Sequence, residues 1–427
     1  MKRAGYILAA GLLLGSGGVF GMPVPDIDGL PTLTTGIVQP FEDGDRVEFI
    51  GDSITEWGAY AYTVSAYYQT RFPQKDIRFF FHGRGGYTAG QWLQHMDVLL
   101  TNRPTVATIM IGMNDSGYKD PWNLPVEQRQ QRLDHIAAEY KSSMDELIAR
   151  LQAGGVKRII LILSSPYDET QQQAIPPFVG ENEFMRDVFG SYLLAKSREL
   201  REPLMDFNTP MLKINQIVQS EDAGFSLADK GDRIHPVRPG HAVMGWLFLA
   251  YQGLDGLVSD IEIDAKNLKV LRNVDCMVSG LKNADGVLSW TASENALPFP
   301  SGVCANPEIL QQYDWGKRFR FSERFNQELL QVSDLARGTY QLKIDDHMVG
   351  KHTAEQLSDG INLAENSETP QYRQALAVNR WYSEEGLYPP DSAYGYWMYK
   401  WNSDEKLDRI HRALTPVPHR YQLIPVR

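Results

Sequence analysis

The sequence predicts a three-layer α/β/α domain built on a parallel β-sheet, followed by a smaller unit that contains β-strands. Between about residues 45 and 255, short runs rich in β-branched and aromatic residues alternate with stretches of helical period. The short runs are almost continuously apolar, as expected for strands that are covered on both faces. After about Gly256 the helical stretches give way to strand candidates separated by turn-rich segments.

Strand and helix candidates alternate regularly in the first part of the chain. Because buried strands joined by helices pair in parallel, this alternation predicts a sheet with helices on both faces. Such sheets bind their ligands beyond the carboxyl ends of the strands. The strand candidates are Val47–Ile50, Ile77–Phe81, Val106–Ile111, Arg158–Leu163 and Leu204–Phe207, and the helix-like segments lie near 58–72, 88–100, 126–153, 181–200 and 238–253.

The second unit is predicted from the change of pattern after about Gly256. The stretch "ELLQVSDLARGTYQLKIDD" indicates two strands joined by a connection that carries Gly338. The tail contains two helix-like stretches, "TPQYRQALAVNRWYSEE" and "SDEKLDRIHRAL". Since no low-complexity linker separates the two parts, we expect the second unit to pack on the main domain. Its strand candidates lie at 268–272, 286–290, 328–332 and 339–344.

The N-terminus is typical of a secretory signal peptide. A basic start, Met1-Lys2-Arg3, precedes the apolar stretch "AGYILAAGLLLGSGGVFG", which ends in small residues. We expect cleavage near Gly21 and a secreted or periplasmic protein; a membrane anchor is the alternative, although the stretch is short and glycine-rich for a stable span. The expected division is a signal peptide (1–21), a lead-in (22–44), the α/β domain (45–255) and a C-terminal extension (256–427).

Length and charge restrict the class of protein. A chain of 427 residues exceeds the usual size of one domain, in agreement with two units. The formal net charge is -11 and no basic run occurs, which argues against nucleic acid as a partner.

The chain has two cysteines, Cys276 and Cys304, and both lie in the C-terminal half. In an exported protein we expect them to form a disulfide, and two free buried thiols are the alternative. Two distant cysteines alone do not make a metal site. We expect no metal or organic cofactor.

The stretch "EFIGDSITEWGAY" places Ser53 where a strand candidate gives way to a helix-compatible stretch. A turn of this kind directs its side chain and its backbone N–H groups into open space at the edge of the sheet. A serine hydroxyl is a weak nucleophile at neutral pH unless a base removes its proton, and that base is usually a histidine held by a carboxylate. Ser53 is therefore a candidate nucleophile, and the search turns to a histidine with an acid nearby.

The stretch "DKGDRIHPVRPGHAVMGW" contains such a pair, Asp232 and His235, just before a helix-like run. In a turn or a first helical turn, residues three apart face the same way. Asp232 is thus able to accept from one ring nitrogen of His235 while the other nitrogen meets Ser53. An exposed Asp-His pair at a helix start is the alternative, and a core or surface role is expected for the nearby His241.

Two further stretches offer hydrogen-bond donors at strand ends, as acyl transfer requires for a developing oxyanion. In "FFFHGRGGYTAGQW", Gly86 presents a backbone N–H where a side chain would crowd a substrate. In "ATIMIGMNDSGY", Asn114 supplies a side-chain amide. An ordinary turn at the glycines and a helix cap at Asn114-Asp115 are the alternatives.

Taken together, "GDSIT", "GGYT", "GMND" and "DRIHP" resemble four blocks of the SGNH hydrolase family, also called GDSL esterases, over about residues 45–255. The resemblance implies a flavodoxin-like α/β/α fold, Ser53 as nucleophile, His235 as base and Asp232 as the residue that orients it. It also implies an oxyanion hole formed by the Ser53 and Gly86 backbone N–H groups and the Asn114 side chain. The second block departs from the family pattern at Phe81 and Tyr87, so Gly83 or Gly85 takes the role of Gly86 if the loop register differs.

The resemblance further implies an exported esterase that removes small acyl groups, most readily acetyl, from a carbohydrate. The segment "LARGTYQLKIDDHMVGKHTAEQLSDGINLAENSETPQ" resembles an extension of exported bacterial SGNH proteins that are mostly assigned to carbohydrate deacetylation. The aromatic stretch "RWYSEEGLYPPDSAYGYWMYKW" suits either stacking on sugars or packing of the tail. The alternatives are a lysophospholipase or broad arylesterase, and a catalytically inactive glycan-binding protein.

Overall fold

The structure is a computed structural model that describes residues 37–172, 176–300, 325–384 and 404–426. Its first part is a five-stranded sheet in the order β2-β1-β3-β4-β5, in which every neighbouring pair is parallel. Helices flank this sheet, so the predicted α/β/α architecture is confirmed. The order is that of flavodoxin-like sheets, whose ligands lie at the carboxyl ends of β1 and β3. The strands are β1 (Arg46–Gly51), β2 (Arg78–Gly83), β3 (Val106–Met110), β4 (Arg158–Leu163) and β5 (Met205–Asp206).

The helices of this part follow the predicted segments with three differences. The segment near 88–100 is two short helices separated by a 3₁₀ turn at Leu93–His95, and the segment 181–200 contains a π-helical turn at Met185–Phe189. A helix after β5 was not predicted, although Asn208-Thr209-Pro210 is a pattern typical of a helix start. The helices are α1 (Ser53–Trp57), α2 (Ala59–Arg71), α3 (Ala89–Trp92), α4 (Met96–Leu100), α5 (Val126–Ala153), α6 (Glu181–Phe184), α7 (Gly190–Leu200), α8 (Asn208–Gln219) and α9 (Arg238–Tyr251).

The second part of the chain is a β-sandwich with its own hydrophobic core. One sheet has the order β13-β10-β6-β7 and the other β12-β11-β14-β9-β8. Side chains from both sheets share the core, among them Ile263, Leu330, Trp290 and Leu342. The strands are β6 (Leu257–Asp264), β7 (Lys269–Val274), β8 (Cys276–Ala284), β9 (Val287–Glu294), β10 (Gln327–Ser333), β11 (Thr339–Ile344), β12 (His347–Thr353), β13 (Ile361–Asn362) and β14 (His419–Pro425).

The two strands predicted on either side of Gly338 exist, but they do not pair with each other. β10 pairs with β6 in one sheet, and β11 pairs with β12 and β14 in the other. The connection therefore crosses between the sheets. Three helices complete the second part, namely α10 (Ala354–Asp359), α11 (Pro370–Glu384) and α12 (Asp404–Leu414).

The sandwich and the tail helices pack directly on the α/β domain. Every residue of α2 is buried, because α9 and the C-terminal part together surround it. The guanidinium of Arg71, the last residue of α2, donates to the carbonyl oxygens of Gly256 (3.1 Å) and Phe325 (2.9 Å). From α12, Ile410 and Leu414 belong to the hydrophobic core of the α/β domain.

Several predictions concern residues outside the described ranges. The signal peptide, Cys304 and most of the aromatic stretch at 380–401 lie there, so the cleavage, the disulfide and the sugar-stacking role stay predictions. Cys276 itself is half-buried at the start of β8. Within the described ranges, none of the helices has the length and apolar character needed to cross a membrane.

Candidate functional site

The turn after β1 presents Ser53 at the carboxyl edge of the sheet. Asp52 caps the helix that follows, since its Oδ1 accepts from the backbone N–H of Ile54 at 2.9 Å. Gly51 leaves room for the turn: a Cβ atom there would lie 1.9 Å from Oγ1 of Thr55. Ser53 consequently begins α1 and is largely buried, with 8% of its surface exposed.

Ser53, His235 and Asp232 form one chain of hydrogen bonds. The distance from Nε2 of His235 to Oγ of Ser53 is 2.7 Å, and the distance from Nδ1 of His235 to Oδ2 of Asp232 is 2.5 Å. The other oxygen of Asp232 accepts from the backbone N–H groups of Ile234 (2.8 Å) and His235 (3.0 Å). The Asp-His pair predicted from its spacing of three residues is therefore present, and its free ring nitrogen meets the predicted serine.

The segment that carries this pair is anchored by Arg233, a residue that sequence reasoning missed. Its backbone is left-handed, with φ at 65°, and its buried guanidinium donates to the carbonyl oxygens of Asp168 (2.9 Å) and Gln171 (3.0 Å). In return, the N–H of Asp168 donates to the carbonyl of Arg233 at 2.8 Å. The loop after β4 thus holds His235 in place. No motif marks Arg233, because its role depends on a loop more than 60 residues away in sequence.

The contacts among Ser53, His235 and Asp232 favour a protonated His235 beside an ionised Asp232. The hydrogen bond that His235 donates to Asp232 raises the pKa of His235 above its ordinary value. Burial acts to raise the pKa of Asp232, but hydrogen bonds from His235 and from the backbone N–H of Ile234 outweigh it and hold that pKa below its ordinary value. Trp57 stacks on the ring of His235, with centroids 5.6 Å apart and an angle of 18° between planes. This indole covers one face of the imidazole while its own side chain stays 48% exposed.

The loop after β2 lies against Ser53 and brings the predicted glycines to the site. Gly86 has a left-handed backbone with φ at 77°, and no atom lies within 4 Å of where its Cβ would be. A Cβ on Gly85 would lie 4.0 Å from Cβ of Ser53. Within the ranges that the structure describes, no hydrogen bond takes up the backbone N–H of Gly86 or of Ser53.

Asn114 follows β3 and contacts the same loop. Its side-chain nitrogen donates to the carbonyl of Tyr87 at 3.1 Å. Because an amide nitrogen carries two hydrogens, this bond fixes the orientation of the side chain and leaves one N–H to give. The structure therefore brings all five predicted site residues to one edge of the sheet.

Two buried aspartates lie next to these residues. Burial raises the pKa of Asp52 to about 6 and that of Asp115 to about 7. Asp115 does not cap its own segment: its Oδ1 accepts from the N–H of Ala89 at 3.0 Å, so it joins the loops after β2 and β3. Both residues therefore hold backbone around the site.

His241 is a core residue, in agreement with the expectation from its position. Burial lowers its pKa to about 3, and its ring stacks on Tyr60 with centroids 6.3 Å apart. In the described part of the chain, no group of three or more His, Cys, Asp or Glu side chains is arranged to hold a metal ion.

A flavodoxin-like sheet with a Ser-His-Asp chain of hydrogen bonds at its carboxyl edge is the arrangement of a serine hydrolase. The chain belongs to the GDSL-like lipase/acylhydrolase family, whose model matches residues 49–243 and so includes every residue of the site described above. Membership of this family makes it a carboxylic ester hydrolase. No protein with curated annotation matches the chain.

Solved structures resemble this chain over different lengths. One is BT4096, described as a gut microbial diltiazem-metabolizing enzyme, which is 30% identical with a TM-score of 0.76 over 91% of this chain and 99% of that chain. Another is Axe2, an acetylxylan esterase from Geobacillus stearothermophilus, which is 22% identical with a TM-score of 0.39 over 50% of this chain and 96% of that chain. The first match covers the β-sandwich as well, so the two-part architecture is shared with BT4096.

Proposed function

We propose that this protein is an exported serine esterase that removes small acyl groups, most readily acetyl, from a carbohydrate. The hydrogen-bonded chain from Ser53 through His235 to Asp232 is the observation that carries the proposal. It supplies a nucleophile, a base within reach of its proton and a carboxylate that stabilises the charged base. Ser53 lies at the carboxyl edge of the sheet, where domains of this kind bind their ligands.

In the first half of the reaction, Oγ of Ser53 attacks the ester carbonyl as Nε2 of His235 takes its proton. Asp232 holds the imidazole by its Nδ1–H and stabilises the imidazolium that forms. The oxyanion of the tetrahedral intermediate accepts from the N–H groups of Ser53 and Gly86 and from the second N–H of Asn114. His235 then protonates the leaving alcohol, and the acyl group remains on Ser53.

In the second half, a water molecule replaces the alcohol. His235 removes a proton from that water, which attacks the acyl-enzyme and forms a second tetrahedral intermediate at the same donors. Collapse of this intermediate returns the proton to Ser53 and releases the carboxylic acid. Every proton therefore passes through Nε2 of one histidine.

Three observations support the substrate class. BT4096 resembles this chain over both parts, and its description names diltiazem, a drug that carries an acetyl ester. This supports a small acyl group. The carbohydrate rests on the C-terminal segment that resembles an extension of carbohydrate deacetylases, and the net charge of -11 favours a neutral glycan over a polyanionic one.

A comparison of acyl chains tests the proposal. Turnover of p-nitrophenyl acetate, butyrate and octanoate by the mature protein is compared with that of Ser53→Ala, followed by acetate release from acetylated neutral glycans and from diltiazem. We expect activity on acetate that falls with chain length and is lost in the variant, together with release from a glycan. Preference for octanoate would assign a lipid substrate, and release from diltiazem without any glycan would assign small acetylated molecules.

Export is tested separately. Expressed with its own N-terminus in a bacterial host, the protein should accumulate outside the cytoplasm with a mass that lacks about residues 1–21. A protein of full mass in the membrane fraction would instead support an anchor.

A further inference from the structure

The loop that carries Gly86 has few constraints of its own. The N–H of Arg84 donates to the carbonyl of Gly51 at 3.2 Å, and the N–H of Tyr87 donates to the carbonyl of Arg84 at 3.1 Å. Between these two bonds, Gly85 and Gly86 are exposed. Glycine adopts many backbone conformations, and an oxyanion donor must be held close to its productive geometry. A further contact is needed to hold this loop.

Glu56, in the last turn of α1, makes that contact. A Cβ atom on Gly83 would lie 2.0 Å from the backbone nitrogen of Glu56, and one on Gly85 would lie 2.9 Å from its Oε2. The loop therefore passes directly over Glu56, so closely that a side chain at position 83 would force it away. Glu56 lies three residues after Ser53 in the same short helix, so whatever holds the loop to Glu56 also holds it to the nucleophile.

The charges around Glu56 match such a contact. Burial raises its pKa, while the N–H of Gly85 and the guanidinium of Arg84 act in the opposite direction and favour the carboxylate. Its Oε2 is buried, lies beside Gly85 and accepts no hydrogen bond from the described residues, so it keeps the capacity to accept one from the loop. His235 also acts on this carboxylate and, like Arg84, favours its ionised form.

We propose that Glu56 is a positioning residue for the oxyanion hole. Its carboxylate holds the peptide of Gly85, and this directs the following N–H, that of Gly86, toward the place where the ester oxygen develops its charge. Glu56 does not contact the reacting atoms itself and acts through the loop. The inference rests on the proposed serine esterase mechanism and adds to it a residue outside the four sequence blocks.

Steady-state kinetics on p-nitrophenyl acetate test the assignment. Glu56→Ala should lower kcat by about 10- to 100-fold with KM changed by less than about threefold, because the lost contact matters mainly in the transition state. Glu56→Gln keeps an acceptor of the same length and should recover kcat to within about fivefold of wild type. Glu127→Ala, which removes an exposed glutamate from α5, is the matched control and should behave as wild type.

The variants also separate this inference from the proposed function. If Glu56→Ala keeps the kcat of the wild type, with or without a raised KM, Glu56 has no positioning role. The esterase mechanism would still be supported in that case, provided that Ser53→Ala has lost its activity. Turnover that survives in Ser53→Ala overturns both. If Glu56→Ala does not fold, Glu56→Asp decides, because it keeps the charge but draws the carboxylate back from Gly85 by one methylene: a lowered kcat at constant KM supports the assignment and an unchanged kcat overturns it.

Discussion

Nε2 of His235 lies 2.7 Å from Oγ of Ser53, although 182 residues separate them in sequence. The fold brings them together because each lies beside one of two packed helices. Ser53 lies in α1, which leads directly into α2, and His235 shortly precedes α9, which packs on α2. The spacing of α2 and α9 therefore helps to set the distance between nucleophile and base.

That spacing depends on Gly245 in α9. A Cβ atom there would lie 2.8 Å from both Cβ and Cγ2 of Thr63 in α2. Gly245→Ala should lower the free energy of unfolding by about 1–3 kcal/mol, because the helices must move apart, and should also lower kcat. Urea unfolding and esterase kinetics measure the two effects. A more stable variant with full activity would show that the gain in helix propensity, about 1 kcal/mol, exceeds the packing cost and that the helix spacing does not control the site.

Asp232→Asn should lower kcat by about 10²- to 10⁴-fold, because the amide neither stabilises the imidazolium nor keeps the ring in the correct tautomer. The substitution should also move the acid limb of the plot of log(kcat/KM) against pH. Asp232 raises the pKa of His235 above 6.5, and the base must be neutral to act, so the limb of the wild type lies above that pH. Without the carboxylate this pKa falls and the limb of log(kcat/KM) moves to lower pH.

The neighbouring Asp229 provides a control for this variant. Its charge also raises the pKa of His235, but its side chain bonds the N–H of Gly231 and not the ring. Asp229→Asn should shift the limb in the same direction by less and keep kcat within about threefold. Equal effects of the two substitutions would contradict the role given to Asp232.

Asn114→Ala should lower kcat by about 10²- to 10³-fold with little change in KM, since its second N–H is used only when charge develops on the ester oxygen. Asn123→Ala is a suitable control, because Asn123 also donates its side-chain amide to a backbone carbonyl, at 2.8 Å, but in an exposed position. Kinetics over a range of p-nitrophenyl acetate concentrations separate the two constants. A rise in KM at constant kcat would make Asn114 a residue for ground-state binding.

Asp115→Asn should change how stability depends on pH. The folded-state pKa of Asp115 is raised from 3.8 to about 7, so the stabilisation from its bound proton is complete below pH 3.8 and is lost as the pH rises to about 7. Asparagine has no proton to lose and keeps an acceptor for the N–H of Ala89. The free energy of unfolding of the variant minus that of the wild type should therefore increase between pH 4 and pH 7, by at most about 4 kcal/mol.

Unfolding in urea at several pH values measures this difference. The exposed Asp120, in the loop after β3, serves as control, and Asp120→Asn should show no comparable trend. A difference that stays constant across this pH range would mean that Asp115 is already charged in the folded protein at pH 4.

The sequence predicts the α/β domain well because its signals are local. The bounds of β4 and α5 agree with the predicted residues, since an uninterrupted apolar run and a long amphipathic period define them. The sandwich is predicted less completely. Four strands were expected there, and β6, β8, β12, β13 and β14 were not, in part because the exposed residues of β8 resemble a loop in composition.

In the site, too, residues with local sequence signals were predicted, and residues whose role depends on distant contacts were not. Ser53, His235, Asp232 and Asn114 follow from residue type and position at strand ends, and the structure brings them together; their catalytic roles stay predictions until kinetics test them. Glu56 and Arg233 did not follow, because a glutamate in a helix and an arginine in a loop acquire a function only through distant backbone. Contacts of that kind have no signature in a single sequence.

Arg71 is the residue through which we expect the two parts of the chain to stabilise each other. It is buried at the end of α2, donates to carbonyl oxygens of the second part, and its charge acts against the burial that raises the pKa of Glu328. Arg71→Met fills similar space but leaves both carbonyl oxygens without this donor. We expect a loss of about 3 kcal/mol in the free energy of unfolding, as for other broken buried charge contacts.

Activity distinguishes this effect from damage to the site. Arg71 and Ala59 occupy opposite ends of α2, about 18 Å apart, and Ser53 lies beyond the end that begins at Ala59. The folded Arg71→Met protein should therefore hydrolyse p-nitrophenyl acetate with kcat near that of the wild type, while it unfolds at lower urea and is cleaved faster near Gly256 by a protease. An unchanged free energy of unfolding would mean that the apolar contacts of α12 hold the two parts of the chain together without Arg71. A large loss of kcat would mean that contacts with the second part influence the geometry of the site.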